Sequence, residues 1–192
     1  MKNICTDNLT DAEYLEHMIA HHQVAIDISL ILQKITKYDK MQEILRKLIW
    51  VQNYEIIIMK DLLNNPPDNI TSYIDNNTYS QTISDIIEPN KLGLLNTYCN
   101  PHFFNPSIHM KHLEHSNLDE IKYIEHMIPH HQVAIDISKI LIKNTKRDMM
   151  LYLAYRIIKS QQEEIIMLNN YLASLKNNKN FYFVSRLLLN KI

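Results

Sequence analysis

The amino-acid sequence predicts an all-α protein, an antiparallel four-helix bundle built from two tandem helical hairpins with a long central crossover. Three observations carry that prediction. The chain has a single Gly and six Pro, and five of the prolines fall between positions 66 and 106, so the flanking segments hold almost nothing that interrupts a helix. Sliding the chain over itself by 109 positions aligns YLEHMIAHHQVAIDIS, from Tyr14 to Ser29, with YIEHMIPHHQVAIDIS, from Tyr123 to Ser138, and only two of sixteen positions differ. With 46 % hydrophobic residues over 192 positions, the chain can bury a sizeable core.

The first repeat spans residues 10–63. Thr10 followed by Glu13 is a capping-box signature opening a helix over 11–36, and Asp39 followed by Gln42 resembles another, opening a helix over 40–63. The second repeat spans 118–175, with helices over 118–143 and 149–175. Asn117 followed by Glu120 reads as its opening box. Short connections near Tyr38 and Arg147 force each pair of helices to fold back antiparallel, and each helix is about 40 Å long at 1.5 Å per residue. Residues 64–117 read as a linker long enough to cross the bundle, with a candidate short helix near 80–87. The tail, 176–192, has an apolar face suited to a fifth short helix.

Formal charge is −1 and the basic residues are scattered, so nucleic acid is not an expected partner. No stretch approaches the roughly 18 uncharged residues of a membrane span, and no apolar run of signal-peptide length opens the chain. The compartment is therefore unset, cytoplasmic by default, and association into a homo-oligomer stays open. Cys5 and Cys99 support neither a disulfide framework nor a metal knuckle.

The duplicated segment is where chemistry concentrates. The same offset pairs Gln52 with Gln161 and Glu55 with Glu164, while much of the second helix of each repeat has drifted. A pure packing duty would let Leu, Ile and Met exchange across the copies, whereas three histidines per copy stayed in place. At 100° per residue, with His17 at zero, His21 falls at about 40°, Met18 at about 100° and His22 at about 140°. The apolar arc lies mostly between about 60° and 200°, so Met18 and His22 point to the core while His17 and His21 flank its edge. Met127, His131, His126 and His130 repeat the arrangement. His22 and His131 should accordingly be more buried than His17 and His126. Folding the first hairpin about Tyr38 brings His21 level with Glu55 and His17 level with Met59, and the second hairpin brings His130 level with Glu164.

Two imidazoles at i and i+4 present two nitrogen ligands on one helical face, and a facing helix can complete a coordination shell. The expected function is metal-ion binding or sequestration. Its candidate ligands are His17, Met18, His21, His22, Glu55 and Met59 in the first repeat, and His126, Met127, His130, His131 and Glu164 in the second. Thioether sulfur favours Cu(I), and His with Glu alone suits Zn²⁺ or Cu²⁺; copper is the expected ion and zinc the alternative. The competing reading is a structural or interaction bundle whose histidines are hydrogen-bonded core residues and whose methionines are packing. Tyr14, Tyr123 and Trp50 read as packing residues, and His102, His109, Met110, His112 and His115 as solvated loop residues. A di-iron oxidase would need Glu-x-x-His on two helices. Glu16 lies next to His17 rather than three before it, so no enzyme activity is expected.

The segment YIEHMIPHHQVAIDIS, followed about twenty residues later by IIKSQQEEI, resembles the signature of a bacterial domain-of-unknown-function family, number 305. The pattern is M-I-P-H-H and a later Q-x-x-E-I, and the resemblance covers about 55 residues of each repeat. It implies a ferritin-like helical bundle, often exported, with some members associated with copper binding or tolerance. It points to Met18, His21, His22, Gln52 and Glu55, and to Met127, His130, His131, Gln161 and Glu164. This chain departs from the pattern with Ile28 and Ile137 where the family commonly has Met, and with Ala20 in place of the usual Pro. Met59 aligns with Leu168, beside Met167.

Overall fold

The computed structural model describes residues 9–65 and 118–189, with side chains placed up to Asn177. Four helices account for nearly all of these residues: α1 Asp11–Ile35, α2 Asp39–Asn64, α3 Glu120–Asn144 and α4 Asp148–Leu189. Among the described residues there is no strand. The candidate helix near 80–87 and the crossover histidines, together with Cys5 and Cys99, lie outside the described residues.

Helix starts are set locally. Thr10 caps α1 as a capping box, its hydroxyl accepting from the Glu13 N–H while the Glu13 carboxylate accepts from the Thr10 N–H. The box expected at Asp39 does not form. Tyr38 is the N-cap of α2 and makes no side-chain cap bond. The Gln42 amide donates instead to the carbonyls of Gln33 and Thr36, closing the end of α1, because the tight hairpin brings those orphaned carbonyls within reach. The box at Asn117 is likewise displaced. Asp119 is the cap, accepting from the Lys122 N–H at 2.8 Å, because a carboxylate immediately before the first helical residue reaches that donor directly. Pro129 sits inside α3, where it lacks an N–H for the helical ladder, yet the helix continues through it.

Helix α4 runs to Leu189, through the segment expected to form a separate docked helix. No Gly or Pro lies between Asp148 and Ile192, and the Asn-rich stretch after Leu175 lowers helix propensity without ending the helix.

The hairpins α1–α2 and α3–α4 dock through α1 and α3, which run antiparallel. Tyr14 on α1 meets Ser138 on α3 at 2.8 Å, and Tyr123 on α3 meets Ser29 on α1 at 2.7 Å. Each serine hydroxyl donates to the carbonyl four residues earlier, Ala134 or Ala25, so the tyrosine must be the donor between helices. Adding 109 to Tyr14 and Ser29 gives Tyr123 and Ser138, so the two bonds are images under a pseudo-two-fold axis between α1 and α3. The tyrosines are fully buried, and burial raises their hydroxyl pKa values far above the usual range, which keeps them protonated donors. Replacing Tyr14 and Tyr123 together with Phe should cost about 1 kcal/mol per bond, read by chemical denaturation. No loss would mean that the ring packing alone joins the repeats.

Two apolar clusters fill the bundle. One gathers Tyr14, Met18, Met59, Ile137 and Leu153 from the start of α1, the end of α2, the end of α3 and the start of α4. The other gathers Ile28, Leu45, Tyr123, Met127 and Leu168 from the opposite ends of the same helices. The end of α2 and the start of α3 thus lie at opposite ends of the bundle, as a long crossover requires. Trp50, expected to pack, is instead 69 % exposed and stacks on Tyr54, with the Arg156 guanidinium 4.7 Å from the Tyr54 ring centre. Its position on α2 turns it away from the three other helices.

Candidate metal centre

Between the two apolar clusters lies a polar layer. His21 and His22 come from α1, Gln52 and Glu55 from α2, His130 and His131 from α3, and Gln161 and Glu164 from α4. Every one of the eight is at most 2 % exposed. The i and i+1 histidines do different work because consecutive helical residues diverge by 100°.

His22 turns toward its own hairpin partner, and its Nε2 lies 2.8 Å from a Glu55 carboxylate oxygen. His131 repeats this toward Glu164 at 2.7 Å, although off the line of a well-aligned hydrogen bond. His21 and His130 turn to each other across the pseudo-two-fold axis and stack, with ring centres 3.6 Å apart and planes inclined by 27°. The sequence expectation of His21 with Glu55 and His130 with Glu164 is therefore corrected by one residue. The height along the hairpin was right, but the position one residue later faces the second helix.

His21 was also expected at the edge of the core. The edge disappears because α3 covers it, and only docking of the second repeat does so. His22 and His131 are fully buried, while His17 and His126 are half-buried at the rim, in the order the helical phase predicts. Met18, Met59 and Met127 are fully buried within the apolar clusters above and below the layer. Leu168 occupies in the second cluster the place Met59 holds in the first.

Burial sets the protonation state. Desolvation pushes His21 and His130 well below the ordinary imidazole range, and the neighbouring imidazoles push them the same way. Desolvation takes His17 down to about 4. These rings are neutral near pH 7 and carry a lone pair. His22 Nδ1 and His131 Nδ1 are buried with no hydrogen-bond partner among the described residues.

Two further residues reach the layer, and the helical phase did not single them out. Ser160 donates to Glu55 at 2.8 Å, and Arg156 Nε approaches the same oxygen at 3.9 Å. A signal existed in the repeat comparison: the first copy has Val51 and Lys47 at these positions. The layer supplies imidazole nitrogens and carboxylates, although among the described residues no group of three or more His, Cys, Asp or Glu side chains converges as a closed coordination shell. The imidazoles are held instead as two His–Glu pairs and one stacked pair.

A tandem-duplicated four-helix bundle with a buried His–Glu layer at mid-height defines the class. The chain belongs to the family described as Domain of unknown function (DUF305), whose model matches residues 3–64 and 120–183. Among curated proteins, the chain is 43 % identical over 59 residues to the uncharacterized protein L153 of Acanthamoeba polyphaga mimivirus, covering 31 % of this chain. The match spans 39 % of that relative's length. Among solved structures, the bundle is similar to CopM in its Cu(II)-bound form, with a TM-score of 0.59 and 24 % identity over 88 % of this chain and 99 % of CopM. The Cu(I)-bound form of CopM gives a TM-score of 0.58 at the same identity and coverage. The apo form gives 0.57 at 23 % identity over 86 % of this chain and 98 % of CopM. At this identity the likeness establishes the shared fold. No helix among the described residues is long and apolar enough to cross a membrane.

Proposed function

We propose that this protein binds and sequesters metal ions, with copper as the favoured ion and zinc as the alternative, and that it holds the ion without catalysis. The observation that carries this reading is the repeated pairing in the buried layer. Each of His22 and His131 has one ring nitrogen against a carboxylate and the other without a hydrogen-bond partner. Where the carboxylate accepts a hydrogen bond from Nε2, Nδ1 keeps the lone pair that a metal needs. Glu55 thereby acts as an orienting partner of a ligand imidazole, as outer carboxylates do around many metal sites, and Glu164 faces His131 in the same way with its second oxygen left for an ion. His21 and His130, neutral and adjacent, supply further nitrogen donors, and Met18, Met59 and Met127 place thioether sulfur in the flanking clusters, which favours a soft ion. The CopM fold, solved with Cu(II), Cu(I) and silver, is one on which such ions are held.

Elemental analysis of chain purified without an affinity tag is expected to find bound metal. Titration with Cu(I), Cu²⁺ and Zn²⁺ should lose most of its binding in the His22→Gln, His131→Gln double variant, and affinity should fall with acid, because ligand imidazoles must be neutral. Near-zero metal content with unchanged binding in that variant would favour the second reading, a structural bundle. The observation behind this alternative is that no three His, Cys, Asp or Glu side chains converge among the described residues.

A further inference from the structure

We infer that the two halves of the layer are not equivalent, and that a divalent cation is taken by the second-repeat half, His131 with Glu164 and Gln161, while Arg156 and Ser160 occupy the first-repeat half from within the chain. The inference rests on the metal-binding reading and adds to it a position and a stoichiometry.

The pseudo-two-fold axis makes the two halves direct controls for each other. In the first half both oxygens of Glu55 are engaged: one by His22 Nε2 at 2.8 Å, the other by the Ser160 hydroxyl at 2.8 Å with the Arg156 guanidinium 3.9 Å away. In the second half a single oxygen of Glu164 is engaged, by His131 at 2.7 Å and by the Gln52 amide at 3.3 Å. The other oxygen, Oε1, is buried with no hydrogen-bond partner among the described residues. Gln161 is 1 % exposed, and among the described residues neither its amide oxygen nor its nitrogen has a hydrogen-bond partner. Among the described residues, His22 Nδ1, Gln52 Oε1 and Arg156 Nε are the buried atoms of the first half without a hydrogen-bond partner, whereas the second half leaves Glu164 Oε1, both Gln161 side-chain atoms and His131 Nδ1, with His131 Nε2 close to Glu164 but off the line of a hydrogen bond.

A buried carboxylate oxygen and a buried amide without partners are costly unless something fills them. A cation beside Glu164 would satisfy the carboxylate oxygen, the Gln161 carbonyl oxygen and an imidazole nitrogen together, which is a mixed nitrogen and oxygen donor set suited to Cu²⁺ or Zn²⁺. The same ion at Glu55 would meet an oxygen already taken by Ser160 and a fixed positive charge beside it.

Sequence drift between the copies makes the difference. Where α4 presents Arg156 and Ser160 to Glu55, α2 carries Lys47 and Val51 at the equivalent positions. Valine has no donor. Lys47 lies near the exposed Glu163 instead, at 4.0 Å.

The test uses the full chain titrated with Cu²⁺ and with Zn²⁺ against a competing chelator, reading stoichiometry and affinity. The wild-type chain is expected to take one ion tightly. Glu164→Gln should weaken that ion by about tenfold or more, within the range seen when a carboxylate partner of a metal site is lost. The double variant Arg156→Lys, Ser160→Val gives the first half the residues that surround the second, and should raise the stoichiometry from one to two. Adding Glu164→Gln to that double variant should return it to one. Two ions of equal affinity in the wild-type chain, or one ion that persists unchanged in Glu164→Gln, would overturn the inequivalence and leave the metal reading standing. A stoichiometry of one in Arg156→Lys, Ser160→Val would overturn the role given to Arg156 and Ser160. No binding by the wild-type chain would overturn the metal reading itself.

Discussion

Replacing Glu55 with Ala should destabilise the fold by about 3–5 kcal/mol, because it strips a fully buried imidazole of its acceptor and leaves Ser160 and Arg156 facing an empty position. The size of the effect comes from the layer being buried. At a surface the same pair would contribute about 0–1 kcal/mol, since water would replace either partner. Replacing both members, His22→Leu with Glu55→Met, should recover most of the loss, because removing both polar groups removes the unpaired one. Equilibrium denaturation of the single and double variants decides the matter. A Glu55→Ala cost below about 1 kcal/mol would mean that water enters the layer and relieves His22.

Acid should unfold the metal-free protein well above the carboxylate range. His21 and His130 have folded pKa values well below the 6.5 of an open chain, so between these limits the unfolded state binds more protons than the folded one. Stability is therefore fully present above about pH 6.5 and is lost as pH falls toward the folded values, at about 1.4 kcal/mol per pH unit for each ring. His17 adds a loss in the same direction between 6.5 and its folded value of about 4. Denaturation series at successive pH values from 7.5 to 4.5 should show this slope. The double variant His21→Phe, His130→Phe keeps two stacked rings without the protonatable nitrogens, and its slope should flatten. An unchanged slope in that variant would place the acid sensitivity elsewhere.

Bound metal should oppose both effects. An ion that binds the folded layer and not the open chain raises stability by an amount that grows with its free concentration, and it competes with protons for the same nitrogens.

The sequence by itself determined the bundle, its duplication and the members of the layer. Breaker residues gathered, Pro129 apart, at the centre of the chain left room for four long helices, and a repeat offset of 109 residues set the pseudo-symmetry before any packing was known. Helical phase placed His22 and His131 deeper than His17 and His126, because a side chain's angle about its own axis depends only on residue count. Tertiary structure alone decided what each residue meets. Whether His21 or His22 takes Glu55 turns on a 100° rotation between neighbours and on which helix stands where, and that depends on the docking of α1 against α3. The stack of His21 on His130 and the tyrosine to serine bonds exist only across that docked interface, between residues about a hundred positions apart. The cap of α1 stayed at Thr10, while that of α2 moved by one residue to Tyr38, where Gln42 was drawn to the end of α1, and that of α3 fell on Asp119. Ser160 and Arg156 were visible as drift between the copies, but drift has no direction until α4 is seen to present them to Glu55 rather than to solvent.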